Sequence, residues 1–205
     1  LIAHPAAAVR SAGLALLAYT LPTLVVPPLA ERLLLRDGPG LVIPLGLFTI
    51  GAGFLLMRLA VIGTQAGWPT LLPGCLLAGI GLGLTNTPVT NTATGALPPE
   101  RAGMASGMDM SARMISLAVN IALMGFLLLQ GVRSGLEPLL QGTALDALAE
   151  AVAAGNLAVA GVADLTESIA RQALVRGFDR VMLYGGLCAL AFAGASRLVL
   201  GRNGR

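Results

Sequence analysis

The sequence predicts an all-α, polytopic helical membrane protein with about five transmembrane helices. Of its 205 residues, 56% are hydrophobic and only 11% are charged, whereas a soluble domain has roughly 25% charged residues. The mean hydropathy is +0.82. The apolar residues occur in long runs without the alternation of a β-strand, and only helices and closed barrels satisfy the backbone in lipid.

Five runs are long enough to cross a hydrocarbon core of about 30 Å, which needs about 20 residues in a helix. They cover residues 11–35, 41–63, 69–97, 103–132 and 178–200. Short turns connect the first four runs. The first run is not typical of a secretory signal peptide, because it leads into Glu31 and Arg32 rather than a small-residue cleavage site.

The connection at residues 133–177 contains several acidic residues and arginines. Within it, Leu145, Leu148 and Val152 recur at helical spacing in one stretch, and Leu165, Ile169 and Leu174 recur loosely in another. We interpret it as an extracytoplasmic connection with short amphipathic helices at the membrane surface or in water. The alternative is a disordered, alanine-rich loop. The chain as a whole, residues 1–205, is predicted to form one transmembrane bundle fragment.

The composition argues against several other classes of protein. All 13 cationic residues are arginines, with no dense basic cluster before the C-terminal tail, so no nucleic-acid partner is expected. Cys75 and Cys188 are isolated in apolar runs, and the single histidine, His4, leaves no plausible metal site or Ser-His-Asp set. An intramembrane enzyme would need a convergent nucleophile and base, which we do not find. The chain is predicted not to be an enzyme and to use no cofactor.

Two pairs of glycines are spaced four residues apart: Gly79 with Gly83, and Gly103 with Gly107. Such pairs let helix backbones approach closely in lipid, either as static packing or to let two helices slide. If Gly83 is a close-approach position, Gly83→Leu disrupts packing and Gly83→Ala is mild. Residues 79–83 also resemble a dinucleotide loop, but they lie inside a span rather than after a strand, which excludes that interpretation.

Polar residues in the third span follow helical spacing. Asn86, Thr90 and Thr94 follow one another at intervals of four residues, and Thr87 and Asn91 are also four residues apart. Polar groups in hydrocarbon must find partners, so these side chains face protein or a water-filled cavity. They either form hydrogen bonds between helices without touching a substrate, or line a solute pathway.

A second polar stripe lies on the fourth span, where Asp109, Arg113, Ser116 and Asn120 fall within an arc of about 40–60°. An ionisable residue at membrane depth indicates a functional site. We therefore assign Asp109, Arg113 and Asn120 to the substrate pathway or its gate. Because Asp109 and Arg113 are also an i,i+4 pair, the alternative is a mutually neutralising ion pair near the start of the helix.

Residues 28–40 read P-L-A-E-R-L-L-L-R-D-G-P-G. This run resembles a loop signature of the major facilitator superfamily, roughly G/P-x-L-A-G/D-R-x-x-D-R-x-G-P-R, which joins two helices on the cytoplasmic side. The departures are Glu31, Leu35 and Gly40. The signature residues that match include Arg32, Arg36, Gly38 and Pro39.

A second resemblance lies in the third and fourth spans. Residues 79–88 read G-I-G-L-G-L-T-N-T-P, residues 97–107 read L-P-P-E-R-A-G-M-A-S-G, and Arg113 follows in Ser-Ala-Arg. These motifs resemble the late helices of drug–proton antiporters, in particular the fourteen-helix branch. That branch also has a long extracytoplasmic connection before its last helix. The helix usually continues with R-Q-x-G-G, whereas this chain has Met114 and Ser116.

The resemblance implies that the chain is the C-terminal part of a multi-pass permease in a cell membrane, of the bacterial inner-membrane type. It implies alternating access coupled to protons. The implied partners are membrane lipid, a small amphipathic solute, protons and a missing N-terminal transmembrane bundle, without which five spans would not transport. It places Arg36 and Arg101 on the cytoplasmic side and Leu148 outside, in agreement with the arginines on short flanks. The alternative is a non-transporting membrane scaffold or assembly partner.

Overall fold

A computed structural model of the chain describes residues 5–62, 68–95, 97–138, 142–156 and 167–202. All regular structure in these residues is helical, which confirms the predicted all-α polytopic class. Between α4 and α5 lies a short 3₁₀ turn, Pro99–Arg101. The helices in chain order are α1 (Pro5–Val25), α2 (Pro27–Asp37), α3 (Pro39–Ile62), α4 (Trp68–Gly95), α5 (Ala102–Leu136), α6 (Thr143–Ala153) and α7 (Glu167–Arg202).

Four helical stretches among the described residues are long and apolar enough to cross a membrane. They are Pro39–Ile62, Pro69–Gly95, Pro99–Leu136 and Ser168–Leu200. The first predicted span contributes only a shorter apolar helix, Leu16–Val25. The sequence predicts about five spans, so the difference lies in that first segment.

The predicted span at 11–35 is divided at Val26, before two consecutive prolines. Proline has no backbone N–H, so Pro27 and Pro28 cannot donate the usual helical hydrogen bonds to the carbonyls four residues earlier. Val26 nevertheless keeps helical angles, with φ −74° and ψ −32°. The helical hydrogen bonding is therefore interrupted while the backbone stays helical, and the charged α2 is separated from the apolar α1.

The connection at 133–177 contains the helix α6, on which Leu145 and Leu148 are buried. The second short helix proposed there is instead continuous with the last span, because α7 runs without a break from Glu167 to Arg202. Leu165, part of the loose spacing that suggested that second helix, lies outside the described residues.

Large apolar side chains are widely exposed on the helices. Leu24, Ile115 and Val199 are 81%, 67% and 64% exposed. Extended apolar surfaces of this kind are rare on monomeric soluble proteins. These faces suit lipid or further transmembrane helices.

The chain divides into two compact units, the first made of Leu1–Arg113 and Gly185–Arg205. In this unit α3 and α4 pack closely through glycines. A Cβ at Gly53 would lie 2.7 Å from the backbone nitrogen of Ala78, and a Cβ at Gly81 would lie 2.6 Å from that of Ile50. The close-contact glycines are seven positions apart on each helix: Gly46 and Gly53 on α3, and Gly74 and Gly81 on α4.

The second unit, Met114–Tyr184, contains the C-terminal part of α5, the helix α6 and the start of α7. A Cβ at Gly135 of α5 would lie 2.9 Å from the Cα of Ala173 on α7, and one at Gly131 would overlap Gly177. The two helices therefore cross at a small-residue contact. The hydrophobic core beside it comprises Val132, Leu136, Leu145, Leu148, Ala149, Val152, Ala170 and Ala173.

Candidate functional site

The guanidinium of Arg113 on α5 makes hydrogen bonds with all three of its nitrogens. Nε donates to Oδ2 of Asp109 at 2.9 Å, one turn earlier on the same helix. Nη1 donates to Oδ1 of Asn86 at 2.6 Å, and Nη2 donates to Oγ1 of Thr90 at 2.8 Å, both on α4. We call these four residues the Arg113 group. It brings together two residues from each of the polar stripes predicted from the sequence.

The Arg113 group lies well inside both helices. Asn86 precedes the end of α4 at Gly95 by nine residues, and Arg113 follows the start of α5 at Ala102 by eleven. At 1.5 Å per residue, Asn86 and Arg113 are roughly 14–17 Å from the helix ends beside the 3₁₀ turn, and Thr90 and Asp109 are roughly 8–11 Å from them. If those ends lie at the membrane surface, Asn86 and Arg113 are near the middle of a core about 30 Å thick, and Thr90 and Asp109 lie between them and the surface.

The Arg113 group holds its charges in a partly shielded environment. The side chains of Arg113 and Asp109 are 33% and 17% exposed. A single charge at the centre of a membrane helix costs about 2.5–3.5 kcal/mol on insertion scales, so each charge stabilises the presence of the other. The two bonds to α4 are different in kind, because they join separate helices. Hydrogen bonds to a charged group contribute about 1.5–3 kcal/mol each.

The two other predicted pathway residues lie outside the Arg113 group. Asn91 is exposed on α4, and its carbonyl accepts a hydrogen bond of 3.4 Å from Oγ1 of Thr94. Asn120 belongs to the second unit, where its Nδ2 donates to the carbonyl of Ser116 at 2.9 Å. Its Oδ1 accepts from the hydroxyl of Tyr184 on α7 at 3.2 Å.

The signature residues occupy the junction between α2 and α3. Gly38 ends α2 with a φ of 75° and donates its N–H to the carbonyl of Leu34. This left-handed backbone favours glycine. Pro39 begins α3, a position where the missing N–H has no cost. Arg32 and Arg36 are exposed on α2.

Of the two glycine pairs singled out in the sequence, only one contacts another helix in the described structure. A Cβ at Gly79 would overlap the backbone carbonyl oxygen of Tyr19 on α1. One at Gly83 would lie 2.8 Å from the Cβ of Val26. At Gly103 and Gly107, by contrast, no described atom lies within 4 Å of a Cβ, because the surrounding face of α5 is exposed. The assignment of these two glycines to helix packing therefore has no support in the described contacts.

Sequence reasoning missed Tyr184 and the glycines of the α3–α4 contact. Tyr184 follows Arg180 by four residues on the last predicted span, and that spacing was the available signal. Arg180 itself donates to Oγ of Ser134 at 2.8 Å. The seven-residue glycine spacing on α3 and α4 was equally visible. Within the described ranges, no three His, Cys, Asp or Glu residues are grouped to hold a metal ion; His4 lies outside these ranges.

Comparison with known proteins gives several relatives. The chain is 33% identical over 134 residues to the multidrug resistance protein Stp of Mycobacterium tuberculosis, covering 65% of this chain and 24% of that protein. It is 34% identical over 143 residues to the uncharacterized transporter YebQ of Escherichia coli, covering 70% and 31%. A puromycin resistance protein of Streptomyces alboniger is 36% identical over 97 residues, covering 47% and 19%.

The chain therefore spans less than a third of the length of each of these relatives. No family model and no solved structure gives a significant match. The relatives and the four apolar helices together indicate a multi-pass membrane protein. The resemblance that the motifs predict is confirmed: over about 65% of its length, the chain is homologous to proteins of the major facilitator superfamily, among them proteins named for drug resistance and one named as a transporter.

Proposed function

We propose that the chain is the C-terminal part of a secondary active transporter that exports amphipathic solutes or drugs. The observation that carries this proposal is the Arg113 group, which joins charged and polar side chains inside two helices long enough to cross a membrane. Two relatives are named as drug resistance proteins and a third as a transporter, which supports the same conclusion. A membrane scaffold would not need a charged residue at this depth.

The proposed mechanism is alternating access, in which two helical bundles rock around a central site. The chain spans less than a third of the length of its relatives, and we propose that the N-terminal bundle lies in the remainder of the complete protein. In this account Arg113 fastens α4 to α5, so that the two helices move together and form one wall of the cytoplasmic gate. We assign no proton-binding role to Asp109, because it is already paired with Arg113. Proton coupling is therefore proposed to depend on an acid of the N-terminal bundle.

An efflux assay tests the proposed function. Cells that express the complete protein are loaded with ethidium, a fluorescent amphipathic cation, and the rate of its loss is measured. We expect faster loss than in cells with an empty vector, and we expect an uncoupler that collapses the proton gradient to remove the difference. Expression of residues 1–205 alone should give no efflux. Export is contradicted if cells with the well-expressed complete protein lose several amphipathic probes no faster than cells with an empty vector.

A labelling experiment tests the proposed orientation in the bacterial inner membrane. Arg36 and Arg101 are proposed to be cytoplasmic and α6 to be outside. Leu148 is buried, so labelling of a cysteine there would depend on its burial and not only on the side of the membrane that it faces. Ala147 is exposed on α6 and replaces it as the reporter. In a background without the native cysteines, a membrane-impermeant maleimide should label Ala147→Cys in intact cells. It should label Arg101→Cys only after the membrane is opened. The reverse pattern would overturn the orientation.

A further inference from the structure

Arg197, near the end of α7, makes a hydrogen bond that no sequence motif indicates. Its Nη1 donates to the backbone carbonyl oxygen of Gly40 at 3.0 Å, although the two residues are 157 positions apart. Gly40 is the second residue of α3 and the last residue of the signature run 28–40. The bond therefore links the last helix to the junction between α2 and α3.

The carbonyl of Gly40 lacks its usual partner for a chemical reason. In an α-helix the carbonyl of residue i accepts a hydrogen bond from the N–H of residue i+4. For Gly40 that residue is Pro44, which lies inside α3. Proline has no N–H, so α3 cannot supply the normal backbone donor at this position. The guanidinium of Arg197 donates to the carbonyl that Pro44 leaves without that donor.

The packing of α7 on α3 explains why Arg197 reaches this point. A Cβ at Gly51 of α3 would lie 2.9 Å from the Cγ of Leu190 on α7, so the two helices touch closely there. From this contact, Gly40 lies about 16 Å back along α3 and Arg197 about 10 Å forward along α7. The helices run in opposite directions, and the long arginine side chain spans the remaining distance.

We propose that Arg197 is a positioning residue, which replaces the backbone donor missing at Pro44 and anchors the α2–α3 junction to the last helix. Arginine suits this role because it is always charged and offers several donors on a long side chain. The anchoring does not depend on transport. Its consequence for the export cycle, in which the junction and α7 would move as one body, rests on the proposed function.

A nitroxide label at the junction tests the anchoring directly. Asp37 is exposed at the end of α2, so Asp37→Cys can take the label in a background without the native cysteines, in the complete protein reconstituted in lipid. We expect Arg197→Ala to lower the ratio of immobile to mobile label about tenfold, as the loss of one hydrogen bond to a charged donor predicts. Arg101→Ala removes an equal charge from the turn between α4 and α5 and should leave the ratio unchanged.

The decisive comparison restores the backbone donor. In Pro44→Ala, residue 44 has an N–H that can bond to the Gly40 carbonyl, so adding Arg197→Ala should no longer mobilise the label. Pro44→Val supplies the same N–H with more of the buried volume and provides a second background. The proposal is overturned if Arg197→Ala lowers the ratio of immobile to mobile label equally in all three backgrounds, the native proline, Pro44→Ala and Pro44→Val. It is also overturned if Arg197→Ala does not change the ratio when the native proline is present.

Efflux by the same variants tests the consequence for transport separately. We expect Arg197→Ala to slow ethidium efflux and the double variant Pro44→Ala/Arg197→Ala to match Pro44→Ala alone. If the label responds as expected and efflux does not change, the link to the export cycle is overturned while the anchoring stands. If the wild type itself exports nothing, the proposed function fails, and the label measurement still decides the anchoring.

Discussion

Replacing Gly79 with alanine is expected to destabilise the protein strongly. The new Cβ would overlap the carbonyl oxygen of Tyr19, a backbone atom of α1 that cannot rotate away. Overpacking of this kind costs about 1–3 kcal/mol, and more where the neighbour is rigid. We expect a Tm lower by about 5 °C in detergent, measured by fluorescence-detected size exclusion after heating. The nearest atoms to the new Cβ belong to Tyr19 and Pro22 of α1, so the change tests packing between α1 and α4.

Two further glycine variants serve as controls. Gly107→Ala should leave the Tm unchanged or raise it slightly, because no described atom lies within 4 Å of its Cβ and alanine is the better helix former. Gly83→Ala should fall between the two, because its Cβ would lie 2.8 Å from that of Val26. The sequence alone suggested that this substitution would be mild. Equal Tm values for the variants at Gly79 and Gly107 would refute the close approach of α1 to α4.

Replacing Arg113 with glutamine should abolish export without reducing the amount of protein in the membrane. Glutamine is too short and has too few donors to replace the bonds to Asp109, Asn86 and Thr90 together. The variant loses the connection between α4 and α5, and it leaves the carboxylate of Asp109 unpaired, which is the costly state of a buried pair. We expect the ethidium efflux rate to fall more than tenfold, with membrane expression checked by blot.

Asp109→Asn is the matched variant at the other end of the pair. Asparagine keeps a side-chain oxygen that can accept from Nε of Arg113, and the two bonds to α4 do not involve residue 109. We therefore expect most of the efflux to remain. Loss of efflux in a well-expressed Asp109→Asn variant would instead make Asp109 a proton-coupling candidate and contradict the pairing role assigned to it.

Much of the fold follows from local properties of the sequence. Hydropathy alone locates α3, α4, α5 and the apolar part of α7, because each contains an apolar stretch long enough to cross a membrane. The first predicted span is different because its two consecutive prolines precede charged residues of α2. Hydropathy over 20 residues averages across that point. The prolines themselves were visible in the sequence, and their effect on helical hydrogen bonding is predictable.

The sequence could not predict in the same way which helix a motif contacts in the folded protein. Gly79 with Gly83 and Gly103 with Gly107 have the same spacing, yet only the first pair meets another helix in the described structure. The spacing defines a helix face, and the tertiary packing decides what covers it. The same holds for the Arg113 group. Helical periodicity placed Asp109 and Arg113 on one face, but the bonds to α4 depend on how two helices are set side by side.

The double variant Asp109→Asn/Arg113→Gln tests most directly whether Arg113 acts by joining α5 to α4 through its hydrogen bonds to Asn86 and Thr90. It removes both charges, so no ionic group is left unpaired, but it does not restore the bonds to Asn86 and Thr90. Efflux is measured in everted membrane vesicles that contain the complete protein, at matched expression. We expect the double variant to be as inactive as Arg113→Gln. Recovery of most of the wild-type rate would show that the residues form only a mutually neutralising pair, and would contradict the gate.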